Sequence, residues 1–171
     1  MDFFTAVLKR RSVRKYKPRP VPPVKLKKLL AAVKAAPSAG DLQSYDVVVV
    51  TKEAGKKSLA TATTYKQSFI ADAPAVLVFF ANPAVSATKF GRRGVEMYSM
   101  QDATIACAYA QLAATALGLS SVWVGAFEPG LVRTALRAHS NATPVAMLPI
   151  GFGAERPRAQ PRVSRVVKES F

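Results

Sequence analysis

Asp72-Ala73-Pro74 leads into Ala75-Val76-Leu77-Val78-Phe79-Phe80-Ala81, seven apolar residues without a charge among them. A strand with one wet face alternates apolar and polar residues; an unbroken apolar run rich in branched and aromatic side chains predicts a strand covered on both faces. Working outward, residues 46–51 (Asp-Val-Val-Val-Val-Thr) carry four consecutive valines and read the same way, as a strand buried on both faces. Residues 121–127 (Ser-Val-Trp-Val-Gly-Ala-Phe) predict a third strand ending in a glycine turn, and residues 144–152 a fourth ending Gly151-Phe152-Gly153.

Helical patterns fill the intervals. Asp2 is placed to cap a first helix in which Phe3, Phe4, Val7 and Leu8 share a face. Pro18, Pro20, Pro22 and Pro23 then enforce an extended connector, and Pro23 suits the first turn of a second helix with Leu26, Leu29, Leu30 and Val33 inward. Residues 56–65 read as helical. Residues 95–117 predict the longest helix, about 35 Å at 1.5 Å per residue, ringed in its second half by alanines and closed by Gly118. Another helix begins at Pro129 and runs to Arg137. Residues 37–43 (Pro-Ser-Ala-Gly-Asp-Leu-Gln) are expected to form a loop, either a plain turn or a ligand-facing one, and residues 82–94 a surface loop or lid.

A chain of 171 residues, half of them hydrophobic, forms one domain with a substantial core. Cys107 is alone, which excludes an intrachain disulfide and a Cys-rich metal site, and no targeting pattern opens the chain, so a cytoplasmic location is expected. The apolar residues 105–119 are interrupted by Tyr109, Gln111 and Thr115 and fall short of the roughly 20 needed to cross a bilayer. The net charge is +15, and residues 1–36 hold eleven basic side chains against Asp2 alone. Such a field concentrates phosphorylated small molecules and nucleic acid alike.

Within that basic region, Arg10-Arg11-Ser12-Val13-Arg14 sets three guanidiniums and a hydroxyl within five residues, a donor array suited to a phosphate. Taken alone, such a run is more often solvated surface. Chemistry carried by side chains is scarce elsewhere. His139 is the one histidine, there is no Gly-x-Ser-x-Gly elbow, no phosphate loop of the nucleotide-hydrolase type and no Gly-x-Gly-x-x-Gly fingerprint. If the chain is an enzyme, its reactive group is expected to be a phosphorylated cofactor that the protein anchors and tunes.

Six pieces, in order, resemble the nitroreductase family of flavin mononucleotide (FMN) oxidoreductases. They are Arg10-Arg11-Ser12-Val13-Arg14, residues 36–43, Asp72-Ala73-Pro74, residues 112–119, Trp123-Val124-Gly125-Ala126-Phe127 and Leu148-Pro149-Ile150-Gly151-Phe152. The resemblance implies a single α+β domain over residues 1–171, with helices around a mixed or antiparallel sheet. It further implies an intertwined homodimer, with the long helix at the subunit interface and residues 154–171 extending onto the partner, where the otherwise orphan strand of residues 163–167 would join the partner's sheet.

The same resemblance implies that Arg10, Arg11 and Ser12 hold the FMN phosphate and ribityl chain, and that Arg14 reaches the pyrimidine side of the ring. Pro37, Ser38, Ala39 and Asp41 would approach from the partner subunit; relatives often have Asn where this chain has Asp41. Val124, Gly125 and Ala126 would lie against the central ring, Gln67 at the pyrimidine edge, and Arg162 at a second phosphate position. No side chain is expected to be catalytic and no metal is expected. NADH or NADPH would be the co-substrate, and a nitroaromatic or quinone the electron acceptor, in a ping-pong reaction; Lys89, Arg92 and Arg93 would favour a 2′-phosphate if their segment reaches the site. Two other readings stay open, a flavin-fold protein with a specialised acceptor or sensor role and a basic nucleic-acid-binding module.

Overall fold

The computed structural model describes residues 1–161. The expected strand of residues 163–167 and Arg162 lie outside the described residues. Among the described residues four strands form one antiparallel sheet in the order β1 (Tyr45–Val50), β2 (Ala75–Ala81), β4 (Thr143–Gly151), β3 (Ser120–Ser121). Every residue of β2 is buried, because β2 has a strand on each side and helices on each face. Its side chains alternate between two cores. Ala75, Leu77 and Phe79 pack with Leu29 and Val33 of α2 (Pro23–Lys34) and with Ala106, Cys107, Ala110 and Ala114 of α6 (Ser99–Ala116). Val76, Val78 and Phe80 pack with Leu59 of α3 (Glu53–Ala62), Ile70 of α4 (Phe69–Asp72) and Val132 of α7 (Pro129–Leu136). At about 1.5–3 kcal/mol for each large side chain removed from water, this strand anchors the domain.

Three expectations need correction. First, β1 is not buried on both faces: it is an edge strand, Asp46 is exposed and Val47, Val48 and Val49 are only half-buried. Second, residues 82–94 are not a loop but chiefly helix α5 (Pro83–Arg93), which the Asn82 side chain caps by accepting from the Val85 N–H, with Pro83 at the first position. Gly91 kinks its end at φ +51°, and Gly94 opens a single π-turn (Gly94–Tyr98) that runs straight into α6. That turn folds back on α5 so closely that a Cβ on Gly94 would sit 2.5 Å from the Ser86 carbonyl oxygen. Third, residues 121–127 are not a continuous strand. Only Ser120 and Ser121 pair in the sheet, after which the chain holds on through isolated bridges from Val124 to Met147 and from Phe127 to Thr63.

The helix expected over residues 56–65 is shifted to Glu53–Ala62, while the Asp2 cap and the Gly118 helix end are as expected. Asp2 accepts from the Thr5 N–H at 3.0 Å at the start of α1 (Phe3–Lys9). The face shared by Phe3, Phe4, Val7 and Leu8 is left exposed, with Phe4 at 76% and Leu8 at 74%. Gly118 closes α6 at φ +71°. No helix among the described residues is long and apolar enough to cross a membrane.

Candidate functional site

Residues 10–14 leave α1 and run beside β3. Ser12 pairs in parallel with Ser121, and the Val13 N–H donates to the Ser121 carbonyl at 3.1 Å. Tyr16 pins the end of the stretch, donating from its hydroxyl to the carbonyls of Val13 at 2.8 Å and Pro149 at 3.2 Å. Burial, reinforced by the nearby Glu155 charge, holds the Tyr16 phenol neutral well above its ordinary range. Glu155 accepts from two successive amides through one oxygen, Arg14 N–H at 2.5 Å and Lys15 N–H at 3.1 Å, which fixes the backbone that carries the Arg14 side chain into solvent.

Between this stretch and the end of α6 lies a cleft of about 500 Å³, lined by Lys9, Arg10, Arg11, Val13, Thr115, Leu119, Ser120, Glu155, Arg156 and Pro157. Four cations against one carboxylate give it a positive lining. Arg11 also closes α1, donating from Nη1 to the carbonyls of Leu8 at 2.6 Å and Arg10 at 2.8 Å, so its fork is held in place before any ligand arrives. The buried Ser121 hydroxyl, beside this stretch, has no hydrogen-bond partner among the described residues. The donor set fits a phosphate-bearing group.

Gly125 lies four residues past Ser121, so its backbone is within roughly 14 Å of the residue that Ser12 pairs with. Gly125 is exposed, and its N–H has no partner among the described residues. The turn is held from behind: Val124 and Met147 exchange backbone hydrogen bonds at 2.9 Å, and the Thr64 N–H donates to the Ala126 carbonyl at 3.1 Å. Thr63, which bridges to Phe127, also accepts from the Gln67 N–H at 2.7 Å, so Gln67 belongs to the same corner as Ala126.

The loop of residues 37–43 is built elsewhere. It winds through a short 3₁₀ turn (Ala39–Asp41) in which Gly40 and Asp41 both have φ of +58°. Asp102, in the first turn of α6 and 1% exposed, accepts from the Ala39 N–H at 2.8 Å through one oxygen and from the Ser44 hydroxyl and N–H through the other. Ser38 Oγ accepts from the Gln43 N–H, and Asp41 accepts from the Gln43 side chain. Asp102 and the cleft residue Thr115 are thirteen positions apart on one helix, roughly 20 Å at 1.5 Å per residue. Within one chain the structure therefore brings residues 10–14 to the approach of the Gly125 turn but holds the Pro37, Ser38, Ala39 and Asp41 group at the opposite end of α6. Asp102, Glu155 and Ser121 are contributors that the sequence reading missed; Lys89 it named, without the seat over Gly40 that the amine takes. Asp102 carries one signal, a lone acid inside a small-residue helix.

The nitroreductase family model matches residues 7–64 and 56–152. An NADH dehydrogenase of Thermus thermophilus is 32% identical over 91% of this chain and 88% of its own length. An FMN reductase [NAD(P)H] of Bacillus subtilis is 29% identical over 90% of this chain and 66% of its own length. Among solved structures, an FMN-dependent nitroreductase of Clostridium difficile superposes with a TM-score of 0.85 at 27% identity, over 98% of this chain and 99% of that one. Fold, motif order and these matches agree: the chain belongs to the nitroreductase family.

Proposed function

We propose that this chain is an FMN-dependent NAD(P)H oxidoreductase that works as a homodimer, with nitroaromatics or quinones as the acceptor class. The observation that carries the reading is the guanidinium-lined cleft beside Ser120 and Ser121, from which the chain runs directly to the unpartnered Gly125 N–H. When bound, FMN supplies the redox chemistry, taking a hydride from the reduced nicotinamide and passing electrons to the acceptor. Arg10, Arg11 and Ser12 hold its phosphate and ribityl chain, Arg14 adds positive charge at the pyrimidine side, and Gln67 faces that edge. The exposed Gly125 N–H would be the donor to the reactive ring, with Val124 and Ala126 on either side of it in the chain. By the family resemblance, Arg162, outside the described residues, would add a second basic contact to the phosphate.

The roughly 20 Å separation along α6 supports a dimer, if the 37–43 loop and the cleft serve one site. A second copy packed antiparallel on this helix sets the loop braced by Asp102 against the partner's cleft at Thr115, so that Pro37, Ser38, Ala39 and Asp41 complete a site begun by the other chain. The helix has a face for this: Gln101, Thr104 and Ala108 are exposed at helical spacing, with Tyr109 near the midpoint between the two ends. β1 is the edge of the sheet left open among the described residues, since residues 12 and 13 run along β3, and it is available to residues 154–171 of the partner. Donor and acceptor use the same open face in turn, which requires no separate dinucleotide fold.

An absorbance spectrum of the purified protein tests the reading. The expected result is a flavin band that bleaches under anaerobic addition of NADH or NADPH and returns on addition of a quinone. Protein that neither carries nor takes up FMN, and oxidises neither donor, would falsify it.

A further inference from the structure

The cationic segment after β2 is a helix whose charged face abuts the 37–43 loop. The Lys89 amine lies where only a glycine leaves space: a Cβ on Gly40 would be 2.8 Å from Nζ and 2.9 Å from the Phe90 ring. From there cations and rings alternate. Lys89 Nζ is 5.6 Å from the centre of the Phe90 ring, which meets Tyr98 edge-on at 5.0 Å, and the Arg93 guanidinium is 5.4 Å from the Tyr98 ring and donates to its hydroxyl at 2.8 Å. Ring contacts of this kind hold a cation in place without neutralising it. Arg92 differs, since Glu96 pairs with it at 2.6 Å. Lys89 and Arg93 meet no carboxylate among the described residues.

We propose that Lys89 and Arg93 form the subsite for the 2′-phosphate of the hydride donor, so that this protein prefers NADPH to NADH. The inference rests on the oxidoreductase reading above, in which the Ser38 and Asp41 loop borders the flavin. A dinucleotide whose nicotinamide stacks in the open site leaves its adenosine end outside it, and Lys89, over Gly40 of the loop that borders the flavin, stands on that side. Two exposed cations there, each held against a ring and neither paired with a carboxylate among the described residues, discriminate by one phosphate dianion, through charge-assisted hydrogen bonds absent with NADH. Lys89 stands on the same chain as the 37–43 loop, so each subunit supplies the donor subsite for the flavin anchored by its partner.

The test uses the flavin-loaded protein and two probes that cannot deliver hydride, adenosine 2′,5′-bisphosphate and 5′-AMP, with calorimetric titration as the readout. The expected result is at least tenfold tighter binding of the bisphosphate. Lys89→Ala and Arg93→Ala should each remove most of that difference, and Lys89→Arg should retain it. In steady state the ratio of kcat/KM for NADPH to that for NADH should fall about tenfold in Lys89→Ala. Equal affinities for the two probes, a preference untouched by both alanine variants, or displacement of the bisphosphate by inorganic phosphate at equal concentration would each overturn the proposal. A flavoprotein that oxidises both donors with equal kcat/KM overturns this subsite alone, whereas a protein without flavin or NAD(P)H oxidation overturns the function beneath it.

Discussion

The Ser44 hydroxyl donates to Asp102 Oδ2 at 2.5 Å, and both residues are sealed from solvent. The other oxygen of the same carboxylate accepts from the Ala39 N–H, so one side chain of α6 fixes both ends of the turn that carries Gly40 and Asp41. Asp102→Ala leaves buried donors without an acceptor and should destabilise the fold by about 3 kcal/mol, seen as a lower denaturant midpoint. Asp102→Asn keeps one acceptor oxygen and should fall between. If the loop contributes to the site, FMN retained after gel filtration should decline in the same order.

The residues of the basic stretch have separable tasks. Arg10→Ala and Ser12→Ala should weaken FMN binding, by roughly ten- to a hundredfold for the guanidinium at the 1.5–3 kcal/mol typical of a charge-assisted hydrogen bond. Arg14→Ala should leave more flavin bound but alter its reduction potential, because this exposed side chain adds charge near the ring rather than anchoring the phosphate. Flavin content and potentiometric titration measure the two effects. Indistinguishable behaviour of the three variants would contradict the division.

Gly40 is constrained twice, by a φ of +58° and by the amine and ring that stand over it. Gly40→Ala should cost about 1–2 kcal/mol from left-handed backbone strain, plus the displacement of Lys89. Lys89→Ala in the same chain should recover part of the second component and none of the first. A double-mutant cycle on thermal stability reads the coupling.

Tyr16 gives the fold a pH dependence. In an unfolded chain this phenol ionises near its ordinary value of 10.0, whereas in the folded protein burial, followed by the Glu155 charge, raises it. A raised folded-state value means that the stabilisation is intact below pH 10 and is lost as pH climbs from there towards the folded-state value. Tyr16→Phe should cost about 1 kcal/mol at neutral pH, for the hydroxyl that bonds Val13 and Pro149, and should flatten part of the alkaline decline. Urea melts at pH 7 and pH 10.5 compare the slopes.

The sheet was readable where one residue pattern has one physical solution. Residues 75–81 match β2 end to end, because a short apolar run rich in branched and aromatic side chains, bounded by Pro74 and Asn82-Pro83, favours a strand enclosed on both faces. The valines of residues 47–50 carry the same pattern yet stand at an edge, since hydrophobicity reports affinity for a covered surface and not which neighbour covers it. Gly91 and Gly94 suggested a loop, although Asn82-Pro83 is a helix-start signal and the glycines serve a kink and a close approach to Ser86. In the site, Arg10 and Gly125 were readable as local motifs. Asp102 was not, and neither was the seat of Lys89 over Gly40, because both come from packing against a loop some fifty or more positions earlier in the chain.

The exposed face of α6 offers the most direct test of a site shared between two chains. Ala108 is exposed at mid-helix, flanked along the face by Thr104 and beside Tyr109, so Ala108→Arg adds bulk and charge where another copy of the helix would pack but touches no core residue of its own chain. The secondary structure should survive, because arginine is a good helix former and the site is open. Sedimentation should show a monomer, and that monomer should have lost FMN together with NAD(P)H oxidation, since the cleft at Thr115 would be parted from the loop at Asp102. A monomer that still holds FMN with wild-type affinity would place the whole site in one chain, against the 20 Å that α6 sets between its halves.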